Sequence, residues 1–132
     1  MRSLTIIAML ALMVFAATVT ASAGTAKGTT TLLGTATSGS SVDVDASVVS
    51  SAPVVPYDYA IQNECYFSGK TSGPPDSYQR DDIASWNYSD GNIPHAVMTM
   101  NLLTVPAGSA CKVFLVNNNV VVKGSTTKYS VQ

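Results

Sequence analysis

Charged residues are scarce in this chain of 132 residues, which contains 7 lysines and arginines, 8 aspartates and glutamates, and a single histidine. The few basic residues are dispersed along the sequence. Proteins that neutralise nucleic-acid phosphates present basic patches or stripes, and this sequence has none of them. We therefore expect no nucleic-acid partner.

The scarcity of histidine also limits catalysis. A nucleophilic triad needs a histidine base and a zinc site needs three or four ligands, whereas the chain offers only His95 and two cysteines. The sequence contains neither Gly-x-Ser-x-Gly nor a glycine-rich phosphate loop. His95 follows Pro94 and alternates out of phase with Ala96 and Met98, which favours a surface histidine over a catalytic base. We predict a protein without enzymatic activity and without a cofactor.

The amino-terminal residues have the layout of a secretory signal peptide. Arg2 supplies one positive charge, residues 4–19 are almost wholly apolar, and Ala21-Ser22-Ala23 presents small residues for cleavage. We predict removal of residues 1–23, and hence a secreted or cell-surface protein with no membrane contact in its mature form. The alternative is an uncleaved membrane anchor, for which the apolar run is at the short end of the required length.

The only cysteines are Cys65 and Cys111. Two cysteines in an exported protein most simply form one disulfide. Cys65 alternates in phase with Ile61, and Cys111 alternates in phase with Val113, so both thiols point toward apolar neighbours. We therefore predict a buried Cys65–Cys111 disulfide.

Residues 41–48, 57–67 and 93–105 alternate apolar and polar residues with a period of two, which is the pattern of half-buried strands. Residues 111–116 and 120–122 form a predicted hairpin, residues 128–131 form a last strand, and turn residues separate all of these stretches. No long helix is expected. The pattern predicts an all-β protein, a small antiparallel β-sandwich of seven or eight strands. Residues 41–132 form its single domain, and residues 24–40 are a flexible leader or a weak first strand.

Three local features carry specific expectations. Asn63 interrupts an apolar face and indicates a bulge. Residues 117–119 are all asparagine and suit a three-residue hairpin loop. Phe114 and Val116 lie on the face opposite Cys111, so we expect the N-terminal strand or another molecule to cover that face.

Aromatic residues mark a candidate binding site in the polar stretch 69–88. Tyr78, Trp86 and Tyr88 occur there together with Arg80. Exposed aromatic rings among polar groups can stack on sugars or anchor a protein partner. In the alternative interpretation, Trp86 is the core tryptophan of the sandwich. Asn87 begins Asn-Tyr-Ser, a glycosylation acceptor if the source is eukaryotic.

Two resemblances to known families follow from short motifs. Residues 81–86, Asp-Asp-Ile-Ala-Ser-Trp, partly resemble the calcium loop of βγ-crystallin domains, and Phe67-Ser68-Gly69 is similar to the aromatic-x-Gly of that family. This resemblance implies calcium ligands at Asp81, Asp82 and Ser85; the other interpretation is a solvated acidic loop. The separation of the two cysteines is similar to that in immunoglobulin domains, which implies an immunoglobulin-like architecture.

Together these features predict a secreted, non-enzymatic β-sandwich that acts by binding or assembly. One variant is a recognition module for a protein or carbohydrate at the cell surface. The other is a self-assembling subunit of a fibre or surface layer. The alternative class is a small secreted hydrolase inhibitor or toxin-like effector, and a minor alternative is a βγ-crystallin-like calcium-binding domain.

Overall fold

The computed structural model describes residues 26–88 and 91–132, so the predicted signal peptide lies outside the described residues. The strands are β1 Lys27–Leu32, β2 Ser41–Val49, β3 Tyr59–Tyr66, β4 Ser77–Asp82, β5 His95–Asn101, β6 Ala110–Asn117, β7 Val120–Val121 and β8 Thr127–Ser130. A single 3-10 turn, Pro56–Asp58, precedes β3. Within these ranges, no helix has the length and apolar character needed to cross a membrane.

The strands form two antiparallel sheets. One sheet has the order β1-β2-β5, and the other has the order β4-β3-β6, with β7 and β8 both paired to the far side of β6. β7 pairs with the end of β6 and β8 with its beginning, so the two short strands form one interrupted edge. The predicted all-β, antiparallel architecture is confirmed.

The core lies between the sheets because alternate residues of each strand point inward. Its buried members include Val42, Val44, Ala46, Val48, Met98 and Met100 from the first sheet, and Tyr59, Ile61, Cys65, Val113 and Leu115 from the second. These residues belong largely to the alternating stretches of the sequence. The period-two pattern therefore identified both the strands and their buried faces.

The predicted disulfide between Cys65 and Cys111 is confirmed. The two cysteines face each other directly on β3 and β6, with their Cα atoms 4.1 Å apart, and both are buried. The bond thus joins neighbouring strands of one sheet. In antibody domains, by contrast, the disulfide bridges the two sheets.

One side of the sandwich is closed where β1 meets the connection between β7 and β8. The Gly28 amide donates to the carbonyl of Lys123 at 3.0 Å. The Thr30 hydroxyl donates to the carbonyl of Ser125 at 2.6 Å, and the Thr127 hydroxyl donates to the carbonyl of Thr30 at 2.8 Å. We call these contacts the β1 seam; they link the first strand of one sheet to the last strand of the other.

Asn63 does not form the expected bulge. The pairing of β3 with β6 continues without interruption through Asn63 and Val113. The Asn63 side chain is fully buried, and its Oδ1 accepts a hydrogen bond from the hydroxyl of Tyr129 at 2.7 Å. Burial raises the pKa of Tyr129 to about 12. The break in the apolar pattern therefore marks a buried polar pair.

The N-terminal strands do not pair beside Phe114, and the burial of Phe114 within the chain removes the need for another molecule to cover it. Phe114 is only 6% exposed, and it forms a small second cluster with Ala60 and Val116 on the outer face of its sheet. The ammonium of Lys112 lies 5.8 Å from the centre of the Phe114 ring. β1 and β2 both belong to the other sheet.

Two boundaries also differ from the expectations. The hairpin after β6 has a two-residue turn, because Asn117 pairs with Val120 and only Asn118 and Asn119 lie between them. Both turn residues have positive φ, of 48° and 66°, as short hairpin turns of this type require. The polar stretch 69–88 also contains a strand, β4, whose residues are mostly polar and do not alternate with apolar ones.

Candidate functional site

The open side of the sandwich lies between β4 and β5, the free edges of the two sheets. The side-chain amide of Gln79 spans this opening at one end. Its Nε2 donates to the carbonyl of Asn101 at 2.6 Å, and its Oε1 accepts from the amide of Asn101 at 2.8 Å. At the other end, Asn87 and His95 exchange two main-chain hydrogen bonds of 2.8 Å. The chain thus closes the β5 edge at both ends.

Between these closures lies a cleft of about 600 Å³, which we call the edge cleft. Its walls come mainly from β5, from the end of β4 and from the residues that follow β4, and they include Asp81, Ile83, Ser85, Trp86 and Val97. Most of the residues that the sequence singled out around Asp81 therefore lie along one cavity. The wall combines carboxylates with apolar side chains.

His95 occupies one wall of the edge cleft and is held by Asp45. Its Nδ1 lies 2.9 Å from Oδ2 of Asp45, which reaches it from the neighbouring strand β2. The His95 side chain is only 22% exposed, so it is more enclosed than the surface histidine that the sequence predicted. The pair fixes the position of His95 at the start of β5.

Asp81 differs from the other carboxylates of the edge cleft. Asp45 is paired with His95, and Asp82 accepts a hydrogen bond from Arg80 at 2.9 Å. The Asp81 carboxylate makes no hydrogen bond or ion pair with the residues that the structure describes. It is the carboxylate of this wall that is available to a ligand.

Trp86 belongs mainly to the core. Its ring packs against the core cluster and meets Tyr59 edge to face, with ring centres 5.4 Å apart. Its indole nitrogen is buried and has no hydrogen-bond partner in the described part of the chain. Trp86 is only partly buried, and it also lines the edge cleft.

The remaining predicted binding residues lie apart from Trp86. Tyr78 and Arg80 share the outer face of β4, since side chains two positions apart point to the same side of a strand. Arg80 donates from Nε to Asp82 and from Nη1 to Asn119, at 2.9 and 2.7 Å, and the bond to Asp82 raises the pKa of Arg80. Tyr88 lies beyond the end of this strand. The four predicted residues therefore do not converge on one surface.

The calcium candidates also diverge in part. Asp81 and Asp82 are consecutive residues of β4, so their side chains point to opposite faces of the strand. Among the described residues, no group of three or more His, Cys, Asp or Glu side chains is placed to hold a metal ion. Asn87, the glycosylation candidate, is exposed, and its main chain is paired with His95. Calcium binding and glycosylation stay predictions.

A second surface, at the end where β2 leads into β3, was missed by the sequence. Large apolar side chains are exposed there, and we call this surface the apolar end; its members are Val49, Val55, Tyr57, Tyr88 and Ile93. Tyr57 is 76% exposed and Tyr88 is 52% exposed. A depression of about 410 Å³ lies among Val49, Val54, Tyr88 and Ile93.

The exposure of Tyr57 departs from the alternation of residues 57–67 for a local reason. Its position in the sequence alternates in phase with Tyr59 and Ile61, which predicts an inward side chain. Pro56, however, begins the 3-10 turn, and the strand starts only at Tyr59. The two prolines at positions 53 and 56 were the signal of a surface connection in which period-two alternation does not hold.

The chain was compared with known protein families and with curated proteins. No family model matches it, and no curated protein matches it.

Proposed function

We propose that this protein is a secreted, non-enzymatic recognition domain that binds a protein partner through its apolar end. The observation that carries the proposal is the depression lined by Val49, Tyr88 and Ile93, all of them exposed. Tyr57 is exposed in the β2–β3 connection at the same end of the sandwich. Scattered exposed apolar residues are ordinary, whereas a group of exposed apolar residues around one depression is typical of an interaction surface. Secretion rests on the signal-peptide layout of residues 1–23.

We further propose that the sandwich is immunoglobulin-like. Constant-type immunoglobulin domains have strands A, B, E and D in one sheet and C, F and G in the other. In chain order, this protein has its first, second and fifth strands in one sheet and its third, sixth and seventh in the other. The fourth strand pairs with the third in place of the fifth. This correspondence supports the assignment.

The position of the apolar end supports a binding role. The connections β2–β3, β4–β5 and β6–β7 all lie at this end, and the amide of Asn118 in the last of them donates to the carbonyl of Asp58 in the first at 2.7 Å. In immunoglobulin variable domains, the loops at one end of the sandwich carry the antigen-binding residues. Here Tyr57 lies in the β2–β3 connection and Tyr88 lies in the β4–β5 connection, at one end of the sandwich.

The experiment replaces the two tyrosines and measures binding. Labelled protein is applied to arrays of extracellular proteins and of glycans, alongside the double variant Tyr57→Ser with Tyr88→Ser. The matched control is Leu103→Ser, because Leu103 is 63% exposed at the opposite end of the sandwich. We expect the wild type and the Leu103→Ser control to bind at least one protein on the array, and we expect the double variant not to bind it. Equal binding by wild type and double variant would refute the proposal.

Self-assembly is the second candidate, and the free edge of β4 favours it. β4 pairs on one side only, so the main-chain groups of its other side can pair with another chain. Sedimentation at increasing protein concentration measures this directly. A monomer at every concentration would exclude a fibre or surface-layer subunit.

The inhibitor and calcium alternatives have simple tests. An inhibitor that uses Arg80 would have to release the guanidinium from Asp82 and Asn119, which weakens that proposal. Assays against extracellular hydrolases decide it. Calcium binding predicts a higher melting temperature on adding calcium, and an unchanged temperature would exclude it.

A further inference from the structure

We propose that the edge cleft is a second binding site, which accepts an extended peptide segment carrying a basic side chain. The segment adds to the free edge of β5, and its basic group pairs with Asp81. This site is separate from the apolar end, and it implies a partner that contributes a peptide strand.

The first argument comes from the main chain of β5. Residues of an antiparallel strand direct their amide and carbonyl groups alternately to the two neighbouring strands. His95 and Asn101 bond away from β2, to Asn87 and Gln79 respectively. Val97 and Thr99 lie in the same phase between them, so their main-chain groups also face away from β2.

These main-chain groups are unoccupied. β5 pairs only with β2 along Val97 and Thr99, and neither residue has a main-chain hydrogen bond on its other side within the described ranges. Six residue steps of about 3.4 Å separate His95 from Asn101, so the open window is about 20 Å long. That length fits three or four residues of an extended peptide, which can pair with both residues.

The protein already uses this edge as a strand-pairing surface. The amide of Gln79 reproduces the donor and acceptor of a strand residue at Asn101, and Asn87 pairs with His95 as a strand would. A peptide between these two positions would continue the same line of hydrogen bonds. The closures also limit the length that can pair, which favours a short segment over a long strand.

The negative charge of the edge cleft favours a peptide with a basic side chain. Asp45, Asp81 and Asp82 line it, and His95 is the only basic residue among its described walls. Asp45 and Asp82 already have partners, and Asp81 does not. A lysine or arginine of the peptide supplies the missing cation, and the apolar wall at Ile83 and Val97 can contact its aliphatic stem.

A sugar fits this cleft less well. Sugar sites in proteins commonly present the face of an aromatic ring, and the ring of Trp86 is packed against the core and Tyr59. The available groups are alternating main-chain donors and acceptors beside one carboxylate. This is the recognition pattern of an extended basic peptide.

The test uses labelled eight-residue peptides in which a central lysine or arginine is flanked by valine and threonine, with matched peptides carrying glutamine at the centre. We expect the basic peptides to bind with dissociation constants of about 10–100 µM, and at least about tenfold more tightly than the glutamine peptides. Amide hydrogen exchange at Val97 and Thr99 should slow at least about tenfold in the complex. N-methylation of the peptide main chain should abolish binding, because it removes the strand hydrogen bonds.

Two variants separate this site from other surfaces. Asp81→Asn should remove the preference for basic peptides, whereas Asp58→Asn, which changes an exposed carboxylate at the apolar end, should leave it unchanged. Tyr57→Ser with Tyr88→Ser should bind the peptides like wild type, so failure of the apolar-end proposal does not affect this result. No saturable binding up to about 1 mM would overturn the inference. Binding without protection of Val97 and Thr99, or a preference that survives Asp81→Asn, would overturn it as well.

Discussion

Replacing Tyr129 by Phe removes one oxygen from the buried polar pair described above, and the structure predicts a large effect for so small a change. The Tyr129 hydroxyl donates to Oδ1 of Asn63 at 2.7 Å, and Asn63 is fully buried. The other end of that amide, Nδ2, has only a weak contact, 3.5 Å from Sγ of Cys65. Without the hydroxyl, the Asn63 carbonyl loses its partner in a site that water does not reach.

The expected cost follows from that lost partner. Leaving a buried polar group unsatisfied costs about 1–3 kcal/mol, and in a domain of this size about 2 kcal/mol lowers the melting temperature by roughly 10 °C. The control is Tyr66→Phe, because the Tyr66 hydroxyl donates to the exposed carbonyl of Gly73 at 3.3 Å. We expect that control to cost less than about 0.5 kcal/mol.

Urea unfolding followed by the fluorescence of Trp86, the only tryptophan, measures both variants. Adding Asn63→Val to Tyr129→Phe should recover part of the loss, since removing both polar partners avoids an orphaned group. If Tyr129→Phe costs no more than Tyr66→Phe, the buried pair does not stabilise the fold as argued.

The same pair predicts a pH dependence. Burial raises the pKa of Tyr129 from 10.0 to about 12, so the folded state holds this proton more tightly than the unfolded state does. The resulting stability is fully present below pH 10 and is lost as the pH rises from 10 through 12. Because the ring is partly exposed, the loss is at most about 2 kcal/mol. The difference in free energy of unfolding between wild type and Tyr129→Phe should therefore decrease as the pH rises from 10 to 12.

Three further predictions concern the framework. Gly28→Ala should destabilise the fold by about 1–2 kcal/mol, because a Cβ there would lie 3.1 Å from Val122 Cγ1 and 3.2 Å from the carbonyl oxygen of Ser47. Its control is Gly34→Ala, where a Cβ meets only Val42 at 3.6 Å, and which should change the free energy of unfolding by less than about 0.5 kcal/mol. Urea titrations measure both variants. Replacing both cysteines by Ala should cost about 4 kcal/mol, because the disulfide closes a loop with a sequence separation of 46, and an unchanged urea midpoint would contradict this. Gln79→Ala should speed amide exchange at Asn101 at least about tenfold, and unchanged exchange would show that the Gln79 amide does not protect that edge.

The sequence correctly predicted the strands in which one face is buried in the core and the other face is more exposed. Strands β2, β3, β5 and β6 alternate because one face packs in the core, and the phases of Cys65 and Cys111 correctly predicted their burial. β4 escaped prediction since five of its residues are charged or polar, as is common at a sheet edge. The bulge predicted at Asn63 does not form. The sequence did not reveal its hydrogen-bond partner, because Tyr129 lies 66 residues away and only the tertiary structure brings the two side chains together.

The sequence predicted several of the residues that line the candidate sites, but it did not predict how their side chains are oriented. The sequence singled out Asp81, Asp82, Ser85 and Trp86, which line the edge cleft. It left open whether Trp86 belongs to a binding surface or to the core, and the structure packs Trp86 against the core. The exposure of Tyr57 depends on where the 3-10 turn ends and β3 begins. Alternation assigns a face only to residues inside a strand, and Tyr57 lies two residues before β3 begins. Sequence patterns do not locate strand boundaries to within two residues.

The β1 seam has a mechanical consequence. Ala26 lies at one end of the sandwich and Gln132 at the other, so tension applied between them pulls β1 and β8 in opposite directions along their length. The hydrogen bonds of Gly28, Thr30 and Thr127 would then be strained together in shear and not opened one after another. Once they rupture, the Cys65–Cys111 bond still holds the chain between the two cysteines folded back on itself. Under tension this domain should resist as a unit and then lengthen by only part of its contour.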